Sequence, residues 1–224
     1  MTDIKHRLKS LSAEKRTMLA GLIADKKEAT FELEEEHPVV QSNQKERFEP
    51  FALTGLQQAF LLGRTDAFSL GGLPSCAYLE LECDDLDVSR LGVAWQRLID
   101  RHEMLRSVVL DNGTQRILEK PPSFEVAQLD LRKLEPEAVE GRLEELRESM
   151  LHYVRPASVL PLCELRITLL PDGKYRLHFR LYMLVVDAAF IWTLIYELHE
   201  LLDYPQAVLP KIYLSYRDYF LHLQ

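Results

Sequence analysis

Hydrophobic and polar residues follow two periodicities along the chain, and the periodicity of each segment predicts its secondary structure. In CAYLELEC, residues 76–83, apolar and polar positions alternate, which is typical of a strand. Between 88 and 104 the apolar residues recur every three or four positions, which is typical of an amphipathic helix. In chain order the patterns predict a helix over 12–27, a linker over 28–50, a helix over 54–63, a strand over 76–83, a helix over 88–104, strands over 107–110, 115–119 and 124–130, a helix from Pro136, strands over 162–170 and 174–186, and helices over 189–202 and 215–222.

Turn and capping residues indicate two hairpins and one helix start. Asn112-Gly113 and Asp172-Gly173 stand between pairs of predicted strands, at points where a tight hairpin turn favours such residues. Thr54 and Gln57 have the spacing of a capping box, in which each side chain satisfies a free backbone donor at the helix start. Helices that alternate with strands and hairpins predict an α/β (α+β) two-layer sandwich, with a mainly antiparallel sheet covered by helices.

The composition of the 224 residues excludes several classes of function. A net charge of −8 argues against nucleic-acid binding, which needs a clustered positive surface. No segment approaches the roughly 20 apolar residues that span a membrane, and no secretory signal is visible. The three cysteines, Cys76, Cys83 and Cys163, suggest neither a disulfide framework nor a metal site, so we expect reduced cysteines in a cytoplasmic protein. The motifs of nucleotide-binding loops, zinc proteases and serine hydrolases are absent from the sequence.

Three segments resemble motifs of one protein family in their order and spacing. Residues 51–64, FALTGLQQAFLLGR, resemble FPLTxxQxAYxxGR, the opening motif of heterocyclization domains, which are variant condensation domains of nonribosomal peptide synthetases. Residues 101–106, RHEMLR, resemble the second motif, RHxMLR, and residues 214–219, LSYRDY, resemble LSFRDY. The resemblance runs from about 48 to 220. The family-motif positions are Thr54, Gln57, Gly63, Arg64, Arg101, His102, Arg217 and Asp218.

The resemblance implies a chloramphenicol-acetyltransferase-like fold and a place in a peptide assembly line. Complete domains of the family have two such lobes, with the active site in the cleft between them. Carrier proteins bring acyl and aminoacyl thioesters to that cleft on phosphopantetheine arms, and no cofactor is bound to the domain itself. The implied organisation is an N-terminal helix and linker over 1–47 and the N-terminal lobe over 48–224. The chain ends where the first lobe of the family ends, so we expect a fragment or a natural half that pairs with a second lobe.

The segment at the place of the family's active-site motif departs from that motif. Condensation domains carry HHxxxDG there and cyclization domains carry DxxxxDxxS, whereas residues 182–190 read YMLVVDAAF. Tyr182 stands at the first Asp, Met183 at the condensation His and Phe190 at the Ser. Only Asp187 matches either motif. A phenol or a thioether cannot replace a carboxylate or an imidazole as a base near neutral pH.

Asp187 has two interpretations. As the remaining carboxylate, it is the candidate catalytic residue for the proton transfers of amide formation and cyclodehydration. In this fold, however, the corresponding Asp usually forms a structural salt bridge that holds the loop, and we expect Arg106 of the second motif to be its partner. Arg106, Tyr182, Met183 and Phe190 are then supporting residues of the site.

The histidines and the C-terminal aromatic residues have structural interpretations of their own. We expect His102 to have a structural role at a helix end, His178 to lie on the surface or on a cleft wall, and His199 to bond a neighbouring backbone group. The aromatic stretch near the C-terminus is a candidate docking surface for another lobe, with core packing as the alternative. Its members are Tyr204, Tyr213, Tyr216, Tyr219 and Phe220.

Three functional hypotheses stay open on the sequence. In the first, the chain is the first lobe of a heterocyclization domain, inactive by itself, which associates with a second lobe or with itself and meets carrier proteins. In the second, it is a catalytically dead lobe that serves as a docking or scaffold element. The third is a free-standing acetyltransferase, but such enzymes need a catalytic His in HxxxD geometry, and Met183 stands at that position.

Overall fold

The computed structural model of the protein describes residues 40–65, 71–120 and 123–224. Residues Val40–Gln224 form one compact unit. The helix predicted over 12–27 and the first part of the predicted linker lie outside the described residues. The elements are β1 (Phe51–Ala52), α1 (Gly55–Gly63), β2 (Cys76–Cys83), α2 (Val88–Arg101), β3 (Ser107–Val109), β4 (Thr114–Ile117), β5 (Ala127–Asp130), α3 (Pro136–His152), β6 (Cys163–Leu169), β7 (Tyr175–Tyr182), α4 (Ala188–Asp203) and α5 (Tyr216–His222), with a short 3-10 helix, Glu103–Arg106, after α2.

The larger sheet has its strands in the order β2-β7-β6-β5. Strands β2, β7 and β6 are antiparallel to their neighbours, and β6 and β7 form the hairpin predicted at Asp172-Gly173, with Gly173 at φ 85°. The edge strand β5 runs parallel to β6, because helix α3 carries the chain back across the sheet between these two strands. The mainly antiparallel sheet expected from the hairpins is confirmed.

One face of this sheet carries the main hydrophobic core, beneath helices α2 and α4. Trp95 of α2 meets Phe179 of β7 edge to face, with 6.2 Å between the ring centroids. Leu98 of α2 and Leu194 of α4 are fully buried in the same cluster. Complete burial of a side chain of this size contributes about 1.5–3 kcal/mol, so these stripes hold both helices on the sheet.

The opposite face of the sheet is polar, yet helix α3 covers it. Arg147 of α3 donates to both carboxylate oxygens of Glu80 on β2, at 2.7 and 3.2 Å. His178 is fully buried beneath this helix and hydrogen-bonds the Tyr78 hydroxyl at 2.8 Å and the Thr168 hydroxyl at 2.9 Å. The expectation of a surface or cleft-wall position for His178 was therefore wrong. Alternation separates the two faces of a strand, but it does not tell whether a helix covers the polar face.

A second, smaller sheet has the order β1-β4-β3 and packs against α5. Its β3–β4 hairpin turns at Asn112-Gly113, as predicted, with Gly113 at φ 79°. Phe51 of β1 and Phe220 of α5 lie with their ring centroids 5.8 Å apart in a small core. Phe220 is thus a core residue rather than part of a docking surface.

The segment before β1 is tied to α5 by the motif LSYRDY. Arg217 donates to the Glu49 carbonyl at 3.2 Å and to the Glu46 carboxylate at 3.3 Å. Asp218 accepts a hydrogen bond from the Asn43 amide at 3.3 Å. Arg217 and Asp218 therefore hold residues 43–49, the segment before β1, against α5. The compact unit accordingly takes in residues 40–47, which the sequence pattern had assigned to the linker.

Three predicted elements differ from the structure by three or more residues at one end. The strand predicted over 174–186 ends as β7 at Tyr182, which pairs with Cys76, the first residue of β2, so residues 183–186 have no partner strand. The helix predicted over 88–104 ends at Arg101, and the chain tightens into the 3-10 helix. The strand predicted over 124–130 is reduced to β5, which pairs with β6 at the edge of the sheet.

Candidate functional site

An open cavity of about 600 Å³ lies where the motif segments meet. The start of α1, the turn after α2, the loop between β7 and α4, and the segment before α5 form its wall. The polar residues of the wall are Thr54, Gln57, Arg101, His102, Glu103 and Asp187. The apolar and aromatic residues of the wall are Leu56, Phe60, Met104, Met183, Leu184, Val185, Val186, Phe190, Ile212, Leu214 and Tyr216. A largely apolar concavity with a few polar groups is typical of a ligand-binding site.

Helix α1 begins at this cavity because Thr54 caps it. The Thr54 hydroxyl accepts from the Gln57 amide at 3.0 Å, and the Gln57 side-chain oxygen accepts from the Thr54 amide at 2.9 Å. The predicted capping box is confirmed. Gly63 ends the helix, and a Cβ built there would meet no atom within 4 Å, so steric crowding does not explain this family-motif glycine.

The side chain of Gln57 also joins α1 to the loop that follows β7. Its amide nitrogen donates to the Leu184 carbonyl at 2.7 Å and to the side-chain oxygen of Gln115 at 3.0 Å. The Gln115 amide nitrogen donates back to Gln57 at 2.9 Å and to the Ala52 carbonyl at 3.0 Å. Both glutamines are buried, so these hydrogen bonds satisfy groups that water cannot reach. The pair links β1, β4 and the motif loop.

Asp187 is exposed on the cavity wall and caps helix α4. Its Oδ1 accepts from the Phe190 amide at 2.7 Å, which satisfies a free donor of the first turn. The structure places no ion pair between Asp187 and Arg106 among the described residues, so that expectation was wrong. Position 187 holds its loop through a helix cap rather than through a salt bridge.

Arg106 instead donates hydrogen bonds to nearby backbone carbonyl groups. Its guanidinium donates to the Leu118 carbonyl at 2.8 Å, to the Ile99 carbonyl at 3.0 Å and to the Asp100 carbonyl. The Glu103 carboxylate lies 3.7 Å away. Burial lowers the pKa of Arg106, against the raising effect of Glu103 and Asp100. Arg106 thus braces the turn that joins α2 to the smaller sheet.

Tyr182 lies inside the lobe and does not line the cavity. Its hydroxyl donates to the Tyr153 carbonyl at 2.9 Å, and the side chain is fully buried. The guanidinium carbons of Arg64 and Arg180 lie 4.7 and 5.3 Å from the centre of its ring. Tyr182 therefore offers these arginines an aromatic face where the resemblance implies a carboxylate.

Met183 and Phe190 do reach the cavity, as the motif register predicts. The Met183 amide donates to the Ser75 carbonyl at 2.9 Å. This hydrogen bond holds the loop after β7 in addition to the one between Gln57 and the Leu184 carbonyl. The Phe190 ring lies edge to face on the His102 ring, with 4.8 Å between the centroids. Both side chains are half-buried and present apolar surface at positions where the family motifs carry polar groups.

His102 belongs to a buried polar cluster at the end of α2. Its Nε2 lies 2.5 Å from Oε2 of Glu197 on α4, and Arg101 Nε lies 3.2 and 3.1 Å from the two oxygens of the same carboxylate. Burial lowers the pKa of His102, and the neighbouring Glu197 opposes this effect only in part. The predicted position at a helix end is correct, but the ring is also part of the cavity wall.

Sequence reasoning missed two residues of this site. Gln115 lies on a short hairpin strand, in the segment 115–118 (QRIL) that usually follows the second motif in the family, but the sequence indicated no contact for its side chain. Glu197 could have been identified from the sequence, because it lies on the same helical stripe as Leu194, Leu198 and Leu201. A carboxylate on such a buried stripe requires a buried partner. His199, by contrast, is exposed and lies 3.5 Å from the Asp203 carboxylate, rather than bonding the backbone.

Residues 40–65, 71–120 and 123–224 contain neither a metal-binding cluster nor a membrane-spanning helix. No cluster of three or more His, Cys, Asp or Glu side chains in these ranges could hold a metal ion. No helix within them has both the length and the apolar character required to cross a bilayer.

Comparisons with known proteins converge on large biosynthetic enzymes. No family model matches the chain. Phenyloxazoline synthase MbtB of Mycolicibacterium paratuberculosis is 40% identical over 173 residues, and bacitracin synthase 1 of Bacillus licheniformis is 38% identical over 173 residues. Pyochelin synthetase PchF of Pseudomonas aeruginosa is 30% identical over 202 residues, or 90% of this chain. The chain spans only 14%, 3% and 11% of these relatives, respectively.

Solved structures show the same relationship. The cyclization-docking bidomain of the EpoB nonribosomal peptide synthetase from Sorangium cellulosum matches 95% of this chain with a TM-score of 0.78 and 32% identity, and the chain covers 42% of it. The epimerization domain from the third module of tyrocidine synthetase B matches with a TM-score of 0.65 at 21% identity, which shows the fold alone.

The mixed sheet, its covering helices and the cavity at the motif loop define a lobe of the chloramphenicol-acetyltransferase-like class. The chain belongs to the condensation and cyclization domains of nonribosomal peptide synthetases. The resemblance in its motifs is thereby confirmed.

Proposed function

We propose that this chain is the first lobe of a heterocyclization domain. In the assembled domain it forms one wall of the chamber in which a carrier-bound acyl group is joined to a carrier-bound Cys or Ser thioester and closed to a thiazoline or oxazoline ring. The observation that carries this proposal is the convergence of the motif segments on one open cavity, with the Asp187 carboxylate on its wall.

The relatives support this choice among the condensation-type activities. One is named a phenyloxazoline synthase, another a pyochelin synthetase, and a similar solved structure is described as a cyclization-docking bidomain. The substrates arrive on phosphopantetheine arms of carrier proteins, so the lobe needs no cofactor of its own. The three cysteines are unpaired, which suits the cytoplasmic location that we propose.

We assign Asp187 the task of holding the attacking amine. Its Oδ1 is engaged by the Phe190 amide, and the carboxylate faces the cavity, where it can accept a hydrogen bond from an N–H group. We further propose that the chain alone does not turn over. Its support is that the cavity is open to solvent, and we expect a second lobe to close it.

Two matched variants test this assignment. Asp187→Asn keeps the helix cap and removes the charge, and Asp87→Asn makes the same change at the cap of α2, whose side chain accepts from Arg90. With a complementary lobe added, we expect mass spectrometry of the carrier-bound products to show at least a tenfold loss in Asp187→Asn and normal product in Asp87→Asn. Normal product in both variants would remove Asp187 from the mechanism.

The second candidate function is a docking or scaffold lobe without chemistry. Its support is that both ends of the motif are apolar or aromatic, since Tyr182 is enclosed and Phe190 packs on His102. The same assay separates the two hypotheses. Absence of product with any complementary lobe, together with measurable binding of acyl-loaded carrier protein, favours the scaffold.

A further inference from the structure

His102 on the cavity wall is paired with a carboxylate, Glu197, beside motif positions that lack an acid or a base. His102 and Glu197 are each about nine-tenths buried, with 8% of either residue exposed. The 2.5 Å separation between His102 Nε2 and Glu197 Oε2 joins α2 to α4. Arg101 holds both oxygens of that carboxylate, so Glu197 cannot turn away from the ring. The edge of Phe190 limits rotation of the imidazole from the other side.

This geometry leaves the second ring nitrogen of His102 available. An ionised carboxylate only accepts hydrogen bonds, so the proton between the two groups lies on Nε2 when the imidazole is neutral. Nδ1 then carries the lone pair. Within the described part of the chain no hydrogen-bond partner occupies Nδ1, nor is this atom among the enclosed unpartnered ones, and His102 lines the cavity.

We propose that His102 is the general base of this cavity and that Glu197 is its positioning residue. The proposal rests on the proposed function. The amine of the acceptor thioester attacks the carbonyl carbon of the donor thioester, and His102 Nδ1 takes a proton from the amine. As the carbon–nitrogen bond forms and the carbon–sulfur bond breaks, the same proton passes to the departing pantetheine thiolate. The products are an amide and a free thiol, with no further reactant.

The charges around the ring suit this task. Glu197 from α4 stabilises the imidazolium that forms during the step, while Arg101 from α2 opposes it. Burial outweighs both effects and keeps the pKa of His102 below its ordinary value, so the ring is neutral and able to accept a proton near neutral pH. The wall residues of the degenerate motif, Met183 and Phe190, have no titratable group.

Kinetics of the chain with a complementary lobe test the proposal. We expect His102→Gln to lower kcat by about 100-fold or more with little change in KM, the typical effect of losing a general base. Glu197→Gln removes a charge that raises the pKa of His102, so the rising limb of the pH–rate profile should move to lower pH. His199→Gln, an exposed change on the same helix, should leave both the rate and the profile unchanged.

The outcomes separate the two proposals. Product from the unsubstituted chain together with normal kcat in His102→Gln overturns the assignment of His102 alone. No product from any combination overturns the proposed function, and the general base with it. Nitrogen NMR of the histidine-labelled chain at pH 7 gives a readout without turnover: we expect His102 protonated only at Nε2. A proton on Nδ1 would overturn the proposal even if both variants lost activity or failed to fold.

Discussion

Two histidines of the lobe are buried, and their ring nitrogens have different partners. His102 has one nitrogen on a carboxylate and no described hydrogen-bond partner at the other, whereas both nitrogens of His178 hydrogen-bond the hydroxyls of Tyr78 and Thr168. Burial lowers the pKa of both rings, and for His178 to about 4. At the scale of single residues, the partner of each nitrogen decides whether a histidine is available for chemistry.

The buried state of His178 predicts an acid-sensitive lobe. In the unfolded chain this residue takes a proton near pH 6.5, but in the folded lobe only near pH 4, because burial and then the arginines 147, 166 and 176 outweigh the attraction of Glu80. Protonation between these values therefore favours unfolding. The contribution of the neutral His178 ring to the free energy of unfolding is fully present above pH 6.5. It falls by about 3 kcal/mol in total as the pH decreases toward 4.

Urea unfolding at pH 7 and at pH 5 measures this effect. His178→Gln keeps hydrogen-bonding groups near Tyr78 and Thr168 but cannot take up a proton in this range. In this variant we expect the free energy of unfolding to differ much less between pH 7 and pH 5 than in the unsubstituted chain. Glu80 contributes little in this window. Hydrogen bonds from Arg147 and Tyr78 outweigh its desolvation and lower its folded-state pKa to about 2, so its stabilising effect is lost only as the pH falls from the ordinary value of 4.5 toward 2. His199→Gln is the exposed control. An unchanged pH dependence in His178→Gln would show that the ring does not titrate in this way.

At the scale of elements, the motif loop is positioned from two sides. The Met183 amide is bound by the Ser75 carbonyl, and the Leu184 carbonyl is bound by Gln57, which Gln115 holds in turn. The loop has no partner strand, so these contacts replace a sheet ladder. They place Asp187 at the start of α4 and therefore on the cavity wall.

Loss of the Gln57 amide should loosen this loop while the sheet stays intact. Gln57→Met has nearly the same shape but leaves the Leu184 carbonyl and the Gln115 side chain without a partner, a cost of about 1–3 kcal/mol. We expect hydrogen exchange at the Met183 and Val185 amides to accelerate by about tenfold or more, with no change at the centre of β7. Gln58→Met, at the exposed neighbour that bonds the Leu53 carbonyl, is the matched control. Equal exchange in both variants would contradict the positioning role.

At the scale of the whole molecule, the cavity rim exposes apolar side chains. Leu56 is 64% exposed and Ile212 is 39% exposed, although both line the cavity. Tyr213, next to Ile212 in the sequence, is 73% exposed, whereas Tyr216 and Phe220 pack in the small core with Phe51 of β1. We therefore propose the rim, rather than Tyr216 and Phe220, as the surface that a second lobe covers, and we expect substitutions at those two residues to damage the core.

We predict that the isolated chain self-associates through this rim at micromolar concentration and that a complementary lobe competes for it. Leu56→Ser with Ile212→Ser should weaken association at least tenfold, because burial of each side chain contributes about 1.5–3 kcal/mol and each 1.4 kcal/mol is a factor of ten. Val93→Ser with Val159→Ser, two exposed apolar residues of other surfaces, is the control. Sedimentation velocity measures both pairs. A monomeric unsubstituted chain with no affinity for a second lobe would favour the scaffold hypothesis.

The sequence by itself determined the local elements and the family. Hairpins at Asn112-Gly113 and Asp172-Gly173, the capping box at Thr54 and the strand over 76–83 were all readable, because each depends on residues close together in the chain. Parts of the motif segments line the cavity, among them Thr54, His102 and Asp187, but Tyr182 and Arg106 do not.

Only the tertiary structure decided how far the elements extend and what their side chains contact. The run of Leu184, Val185 and Val186 continues a strand pattern, but no partner strand reaches it, so the chain turns at Met183. His102 and Glu197 pair across 95 positions of sequence, and the burial of His178 depends on the covering helix α3. Arg106 and Asp187 have partners close in the chain, but which of the nearby backbone groups they bond depends on how the turn and the helix start fold. Periodicity describes one element at a time, whereas the chemistry of this site arises where separate elements pack together.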